Sequence, residues 1–291
     1  SFAGPGKTTA EIRSAVAAGI VLNLESEREL AEVIAAGKAL NVTPRVAVRV
    51  HPVDHPAFES DLHTILPRAA QALCHVMIPK VESLADVQRA VQAIDAASAG
   101  RVQAPLPLHV LIESPAAVHR AFEIAAHARV QSLSFGLMDF VSAHGGAIPA
   151  HGMSGQGQFT HPLVVRAKLD IASACHAHGK VPSHCVVTEF NDTAAMRAAA
   201  QRAAHEFGYT RMWSIHPAQI RPILEAMAPD AAAIEVASEI VLAARAAQWA
   251  PISHKGQLHD RASYRFFWQV LERAHSTGCS LPAEVQLFFK D

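Results

Sequence analysis

"HVMIPKVESLADVQRAVQAIDAA" (residues 75–97) is the stretch on which the fold reading turns. Its first six residues form a near-continuous apolar run, the pattern of a parallel strand buried on both faces. Residues 83–97 then space apolar side chains at helical intervals, as an Ala-rich amphipathic helix does. The same alternation runs outward in both directions. Strands are expected upstream at 45–50 ("RVAVRV"), 20–25 ("IVLNLE") and 1–3. Downstream they are expected at 108–114 ("LHVLIES"), 132–140 ("SLSFGLMDF"), 182–187 ("PSHCVV") and 212–217 ("MWSIHP"). Helix-like segments separate them, among them "TTAEIRSAVAAG" (8–19), "HPLVVRAKLDIASACHAHGK" (161–180) and "DTAAMRAAAQRAAHEFG" (192–208). Eight strands and seven intervening helices, with an eighth helix in "AQIRPILEAM", are the count of an α/β chain folded as a TIM (β/α)8 barrel. A doubly wound sheet would place a G-x-G-x-x-G turn after its first strand, and none is present.

The barrel accounts for residues 1–227. Residues 228–291 exceed what it needs. They read as a helix (230–248), a loop (249–264) and an amphipathic helix with aromatics on one face (261–275). This makes a C-terminal helical extension, a lid or an oligomer arm.

Half of the 291 residues are hydrophobic and the formal net charge is −1, so a large core is available and a charge-driven nucleic-acid or membrane-surface role is disfavoured. No apolar run approaches membrane length and no secretory signal is visible. The four cysteines, Cys74, Cys175, Cys185 and Cys279, make no C-x-x-C pair. A reduced, cytoplasmic setting follows as the expectation. Of the eighteen histidines, the closest pairs are His51 with His55 and His176 with His178. The first flanks prolines. The second is spaced by two on a helix, which turns the rings to different faces.

The opening "SFAGPGKTTAE" imitates a phosphate-binding loop. That motif needs a glycine five positions before Gly6, where Ser1 stands, and Pro5 removes a backbone N–H from the cradle. Thr8 followed by Glu11 reads instead as the capping box of a first helix.

Catalysis in a barrel sits at the C-terminal strand ends. The polar residues there are Glu25, Arg49, Lys80, Glu113, Asp139, Glu189 and His216. Glu113 and Asp139, from adjacent strands, can reach one point and form a hard-oxygen site suited to Mg²⁺ or Mn²⁺. The alternative is that each satisfies loop amides. Lys80 follows Pro79 at a strand end and reads as electrostatic support or a structural ion pair rather than a Schiff-base lysine.

From about residue 45 to the end, the chain is similar to the citrate lyase β-subunit-like branch of the HpcH/HpaI aldolase superfamily, which includes citryl-, malyl- and citramalyl-CoA lyases. "RVAVRVHPVD", "VMIPKVES", "LIES", "SFGLMDF" and "SIHPAQI" carry the resemblance, in order and at strand ends. It implies a carbon–carbon lyase acting on a β-hydroxyacyl-CoA, with Glu113 and Asp139 binding the metal. Arg49, Lys80 and Gly136 would bind substrate. Arg49, Glu25 and an aspartate of the C-terminal lid, matched by Asp260 in "KGQLHDRASY", would act in catalysis. It also implies an acyl-CoA or 2-oxo acid as substrate and a homo-oligomer, a trimer or hexamer. The family's Leu-Asp-Leu-Glu-Asp motif is altered here to "LNLES", with Asn23 and Ser26 in place of two acids. That keeps open an aldolase or thioesterase acting on a related oxo-acid, and an impaired barrel. The first fifty residues resemble part of the barrel of pyridoxal-phosphate-dependent ornithine/diaminopimelate decarboxylases, as a recombined chain would.

Overall fold

The structure is a computed structural model and describes residues 7–17, 19–69, 73–189 and 191–289. It divides into two compact units, Ser1–Ile223 and Leu224–Asp291. The first unit opens with α1 (Thr9–Ala17), β1 (Leu22–Leu24), α2 (Glu27–Leu40), β2 (Val46–Arg49), α3 (Phe58–Ala69) and β3 (Leu73–Ile78). It continues with α4 (Leu84–Ser98), β4 (Leu108–Ile112), α5 (Pro115–His119), α6 (Ala121–Ala126) and β5 (Val130–Phe135). Then come α7 (Leu137–Ser142), α8 (Pro162–Ala177), β6 (Val181–His184), α9 (Thr193–His205) and β7 (Arg211–Met212). The unit boundary falls within α10 (Ile220–Met227).

The seven strands lie in the sheet in chain order, every neighbouring pair parallel. Helices link successive strands, so the sheet curls as a TIM-like barrel. The strand expected at residues 1–3 lies outside the described residues. Alternation along the strands separates two cores. Val46, Val48, Val76, Ile78, Leu108, Val110 and Ile112 pack in the shell shared with the helices. Met77 of β3 and Leu111 of β4 form a separate cluster with Trp213, so the odd-numbered residues of β3 and β4 line the interior.

The helices begin where side chains can satisfy the first free amides. Ser83 caps α4 in a reciprocal box with Asp86. Thr8 and Glu11 form the expected box at α1: Glu11 Oε2 accepts from Thr8 N at 2.7 Å, and Thr8 Oγ1 accepts from Glu11 N at 3.3 Å. Lys7, which follows the loop-like glycines, is buried and ion-paired to Glu29 at 3.1 Å. The glycines themselves lie outside the described residues.

Three strands end three or more residues before their sequence pattern does. The apolar run at 132–140 ends as strand at Phe135, and residues 137–142 coil into α7. The runs at 182–187 and 212–217 likewise stop at His184 and Met212. Apolar runs cannot distinguish a strand from the buried first turn that follows it.

The second unit holds α11 (Ala231–Ala246), a hairpin of β8 (Ile252–His254) and β9 (Gln257–His259), α12 (Arg261–Ser276) and α13 (Ala283–Gln286). Ile234, Ala237 and Val241 of α11 share a core with Val270, Leu271 and Ala274 of α12. The hairpin corrects the loop expected at 249–264. Its turn, Lys255-Gly256, has positive φ at both residues (47° and 80°), the geometry that matches strand twist in a two-residue connection. Strands of three residues are too short to show a period in the sequence.

Candidate active site

β4 delivers Glu113 to the mouth of the barrel. The carboxyl is buried, 5% exposed, and its Oε2 accepts a 2.7 Å hydrogen bond from the backbone N–H of Lys80. Lys80 adopts φ 52°, a left-handed conformation that costs a non-glycine residue of order 1 kcal/mol or more. The turn after β3 holds that conformation and aims the amide at Glu113.

The same residue reaches the second acid. Lys80 Nζ lies 3.0 Å from Asp139 Oδ1, with the two side chains 55% and 47% exposed. Asp139 stands in the first turn of α7, one turn after Gly136, rather than on a strand. Gly136 has a packing reason to be glycine: an added Cβ would stand 2.5 Å from Glu113 Oε1 and 2.9 Å from its Cδ. Glu113, Asp139, Lys80 and Gly136 thus converge on one point.

The electrostatics of this point are strained toward a cation. Burial pushes the Glu113 carboxyl above its ordinary range, the Lys80 amide opposes that shift, and the Asp139 charge adds to it. Lys80 is pushed up by its hydrogen bond and charge contact with Asp139. Arg49, at the end of β2, is close enough to act on both Glu113 and Lys80. Among the described residues its guanidinium has no hydrogen-bond or ion-pair partner.

Glu25 follows β1 at the same end. Its backbone N–H donates to Glu29 Oε2 at 3.0 Å, on the carboxylate that also takes Lys7. This Lys7–Glu29 support of the β1 end escaped the sequence reading. The spacing Ser26-x-x-Glu29 was the available signal, since it is a capping-box pattern, and Ser26 does cap α2. Beneath Glu25, Asn23 is fully buried, and neither its amide nitrogen nor its oxygen has a partner. Glu189 turns away from this group: its Oε1 accepts from Gly155 N at 2.9 Å. His216 accepts from Ala218 N at the start of a helical turn. Asp260 belongs to the second unit. It is exposed and caps α12, accepting from Ala262 N at 2.9 Å.

The histidine pairs have local roles. His51 and His55 stack at 4.2 Å, and His51 Nδ1 meets Asp61 at 2.7 Å. His176 Nε2 bonds the Gly208 carbonyl at 2.8 Å.

Comparison with known proteins gives the lineage of the chain. The HpcH/HpaI aldolase/citrate lyase family matches residues 25–217. The chain belongs to that family. It is therefore a carbon–carbon lyase by lineage. An L-malyl-CoA/β-methylmalyl-CoA lyase from Cereibacter sphaeroides is 32% identical over 90% of this chain and 90% of its own. The crystal structure of a citrate lyase from Burkholderia xenovorans LB400 is 44% identical, with a TM-score of 0.84, and covers 99% of this chain and 95% of its own. Protein CitE from Mycobacterium tuberculosis, in complex with magnesium and acetoacetate, is 25% identical with a TM-score of 0.55, covering 76% of this chain and 88% of its own. A match over 99% of the chain takes in nearly all of the first fifty residues, so the front belongs to this family too.

Among the described residues no group of three or more His, Cys, Asp or Glu side chains is placed to hold a metal. A two-carboxylate site is compatible with that. Mg²⁺ is commonly held by one or two carboxylates, with water and substrate oxygens completing its octahedron. Among the described residues no helix is long and apolar enough to cross a membrane.

Proposed function

We propose that this chain is a Mg²⁺-dependent lyase that cleaves, or in reverse forms, a β-hydroxyacyl-CoA of the malyl-CoA type. The observation that carries the proposal is the convergence of Glu113 and Asp139 through Lys80, beside the unengaged guanidinium of Arg49. Glu113 and Asp139 are the metal ligands in this reading, and oxygen-only donors favour Mg²⁺ over softer ions. The ion supplies Lewis-acid polarisation of the substrate oxygen, a contribution of several kcal/mol.

The chain's own residues do the rest. Arg49 grips the substrate carboxylate with two parallel N–H donors. Lys80, half-exposed, swings from Asp139 to the anionic end of the substrate and binds it. Gly136 leaves its backbone open to close approach. Glu25, the acid that remains in the β1 motif, orients water at the mouth. In the cleavage direction the β-hydroxyl passes its proton to the Asp260 carboxylate and the C–C bond breaks. Its electron pair passes into the thioester as an enolate, and the oxo-acid leaves. Proton return to the enolate carbon then gives the shorter acyl-CoA, with Asp260 as the proton carrier. The C-terminal unit acts as a lid over the mouth in a cytoplasmic homo-oligomer, a trimer or hexamer.

The test is direct. Glu113→Ala and Asp139→Ala should each abolish Mg²⁺ binding in calorimetry while the circular dichroism spectrum is kept. Unchanged affinity in both variants removes them as ligands. Malyl-CoA should yield glyoxylate and acetyl-CoA in equal amounts. Free CoA and malate without glyoxylate would make the enzyme a thioesterase instead.

A further inference from the structure

The C-terminal hairpin leads directly to Asp260, and a carboxylate of α11 holds its tip. β8 and β9 pair antiparallel, with Ile252 opposite His259 and His254 opposite Gln257. The chain runs from β9 into Asp260, which keeps an extended backbone (φ −142°, ψ −168°) before α12 begins. Side chains alternate along an extended chain. His259 is buried on the inner face, whereas Leu258 is 76% exposed. Leu258 and the exposed Asp260, two residues apart, therefore share the outer face. The way the hairpin is held sets where Asp260 projects.

Two ties hold it. At the base, the Tyr264 hydroxyl lies 2.7 Å from the Ala250 carbonyl and 3.1 Å from the His259 carbonyl, so it spans both ends of the hairpin. At the tip, Glu239 of α11 gathers two donors on one oxygen. Its Oε2 lies 2.7 Å from His254 Nε2 and 2.9 Å from Lys255 Nζ. A carboxylate can only accept, so both nitrogens donate to it. Lys255 first, and then His254, hold the Glu239 carboxyl below its ordinary range, which keeps it ionised. The tie falls on the turn itself, where Lys255 has a left-handed φ of 47° that few non-glycine residues adopt.

Packing does not duplicate this tie. A cavity of about 260 Å³ lies under the hairpin, lined by Val236 and Ile240 of α11, Phe267 of α12, and His254, Lys255 and His259. Side chains that border a void lose their contacts on that side, so the tip has room to shift. Half-exposed ion pairs add little to stability. The consequence of the Glu239 tie is therefore geometric.

We propose that Glu239 is a positioning residue for the lyase reaction: by fastening the hairpin tip to α11, it sets where Asp260 presents its carboxylate. The inference rests on Asp260 as the proton carrier. Proton transfer needs that carboxylate within hydrogen-bond reach of the substrate atom, and a misplacement of about 1 Å can cost about 10²-fold in rate.

Glu239→Ala removes both bonds at the tip. It should lower kcat for malyl-CoA cleavage roughly ten- to hundredfold, while KM, Mg²⁺ binding and the melting temperature stay near wild type. Glu239→Gln keeps one acceptor oxygen and should recover part of the rate. In an Asp260→Asn background, Glu239→Ala should cost nothing further, because no acid remains to be aimed. Hydrogen exchange over residues 252–260 reads the tie itself and should quicken in Glu239→Ala. Wild-type kcat in Glu239→Ala, an equal loss in both backgrounds, or unchanged exchange would overturn the proposal. Full activity in Asp260→Asn together with faster exchange in Glu239→Ala marks a different failure. Glu239 would then hold the hairpin, but the acid assignment would fall and the positioning role with it.

Discussion

Gly136 is the residue where packing and chemistry meet most tightly. No side chain fits between it and Glu113, so Gly136→Ala must push the carboxylate aside or shift α7 and Asp139. Overpacking of this kind costs about 1–3 kcal/mol, which a domain of this size survives. The expected outcome is a folded protein whose Mg²⁺ affinity falls at least tenfold, read by calorimetry. Wild-type affinity would show that Glu113 is not a ligand in its present position. Arg49 makes a complementary case. Arg49→Lys keeps the charge and loses the two-bond fork, so oxo-acid binding should weaken by about an order of magnitude while Mg²⁺ binding holds. Equal oxo-acid affinity in the two proteins would make Arg49 structural.

At the scale of elements, the contact of α8 with β6 buries a lysine. Lys168 is fully buried and bonds Gln158 Oε1 at 2.7 Å and His184 Nε2 at 2.9 Å, with its Nζ 3.9 Å from the centre of the Phe159 ring. His184 donates from Nδ1 to the Cys185 carbonyl, so its Nε2 is free to accept. Burial is the main cause that lowers Lys168 to about 8; Cys185 opposes it and Arg202 adds to it. The unfolded lysine keeps its ordinary value near 10.5. Between these values the unfolded chain binds more protons, so this group makes the protein more stable as pH rises from about 8 to about 10.5. Below 8 both states are protonated and the cost of burying the charge is felt in full. Lys168→Met removes the dependence. Its melting temperature relative to wild type should be higher at pH 7.5 than at pH 9.5. A difference independent of pH would show that Lys168 titrates normally. Nothing in the helix pattern of 161–180 announced this buried charge, because a lysine at a buried position looks the same in sequence as one on a solvated face. What was legible was repetition: seven apolar runs each followed by an amphipathic stretch are enough to order a parallel barrel. The places where runs end were not legible. Asp139 was assigned to a strand because Leu137, Met138 and Phe140 continue the apolar pattern, yet Gly136 breaks the strand and α7 starts there. Asp139 meets Lys80 from the first turn of that helix.

At the scale of the whole molecule, Asp260 decides whether the second unit takes part in chemistry. It has a sufficient structural task already, since it caps α12 with Ser263 in a reciprocal box. Loss of a cap costs typically about 1 kcal/mol, so a slow Asp260→Ala enzyme would prove nothing about catalysis. Asparagine separates the two roles. It caps as well as aspartate but cannot carry a proton. Asp260→Asn should keep the melting temperature, Mg²⁺ binding and oxo-acid binding of wild type, and slow C–C cleavage by about 10²–10⁴-fold, the typical contribution of a positioned acid or base. If the lid covers a neighbour's barrel, each working site needs Glu113 from one chain and Asp260 from another. Mixing unfolded Glu113→Ala and Asp260→Asn chains and refolding them together should then restore part of the activity, because some sites in the mixed oligomer receive both intact residues. A lid closing on its own barrel predicts no recovery, since every chain would carry one defect. Full activity in Asp260→Asn would leave Asp260 with the cap alone.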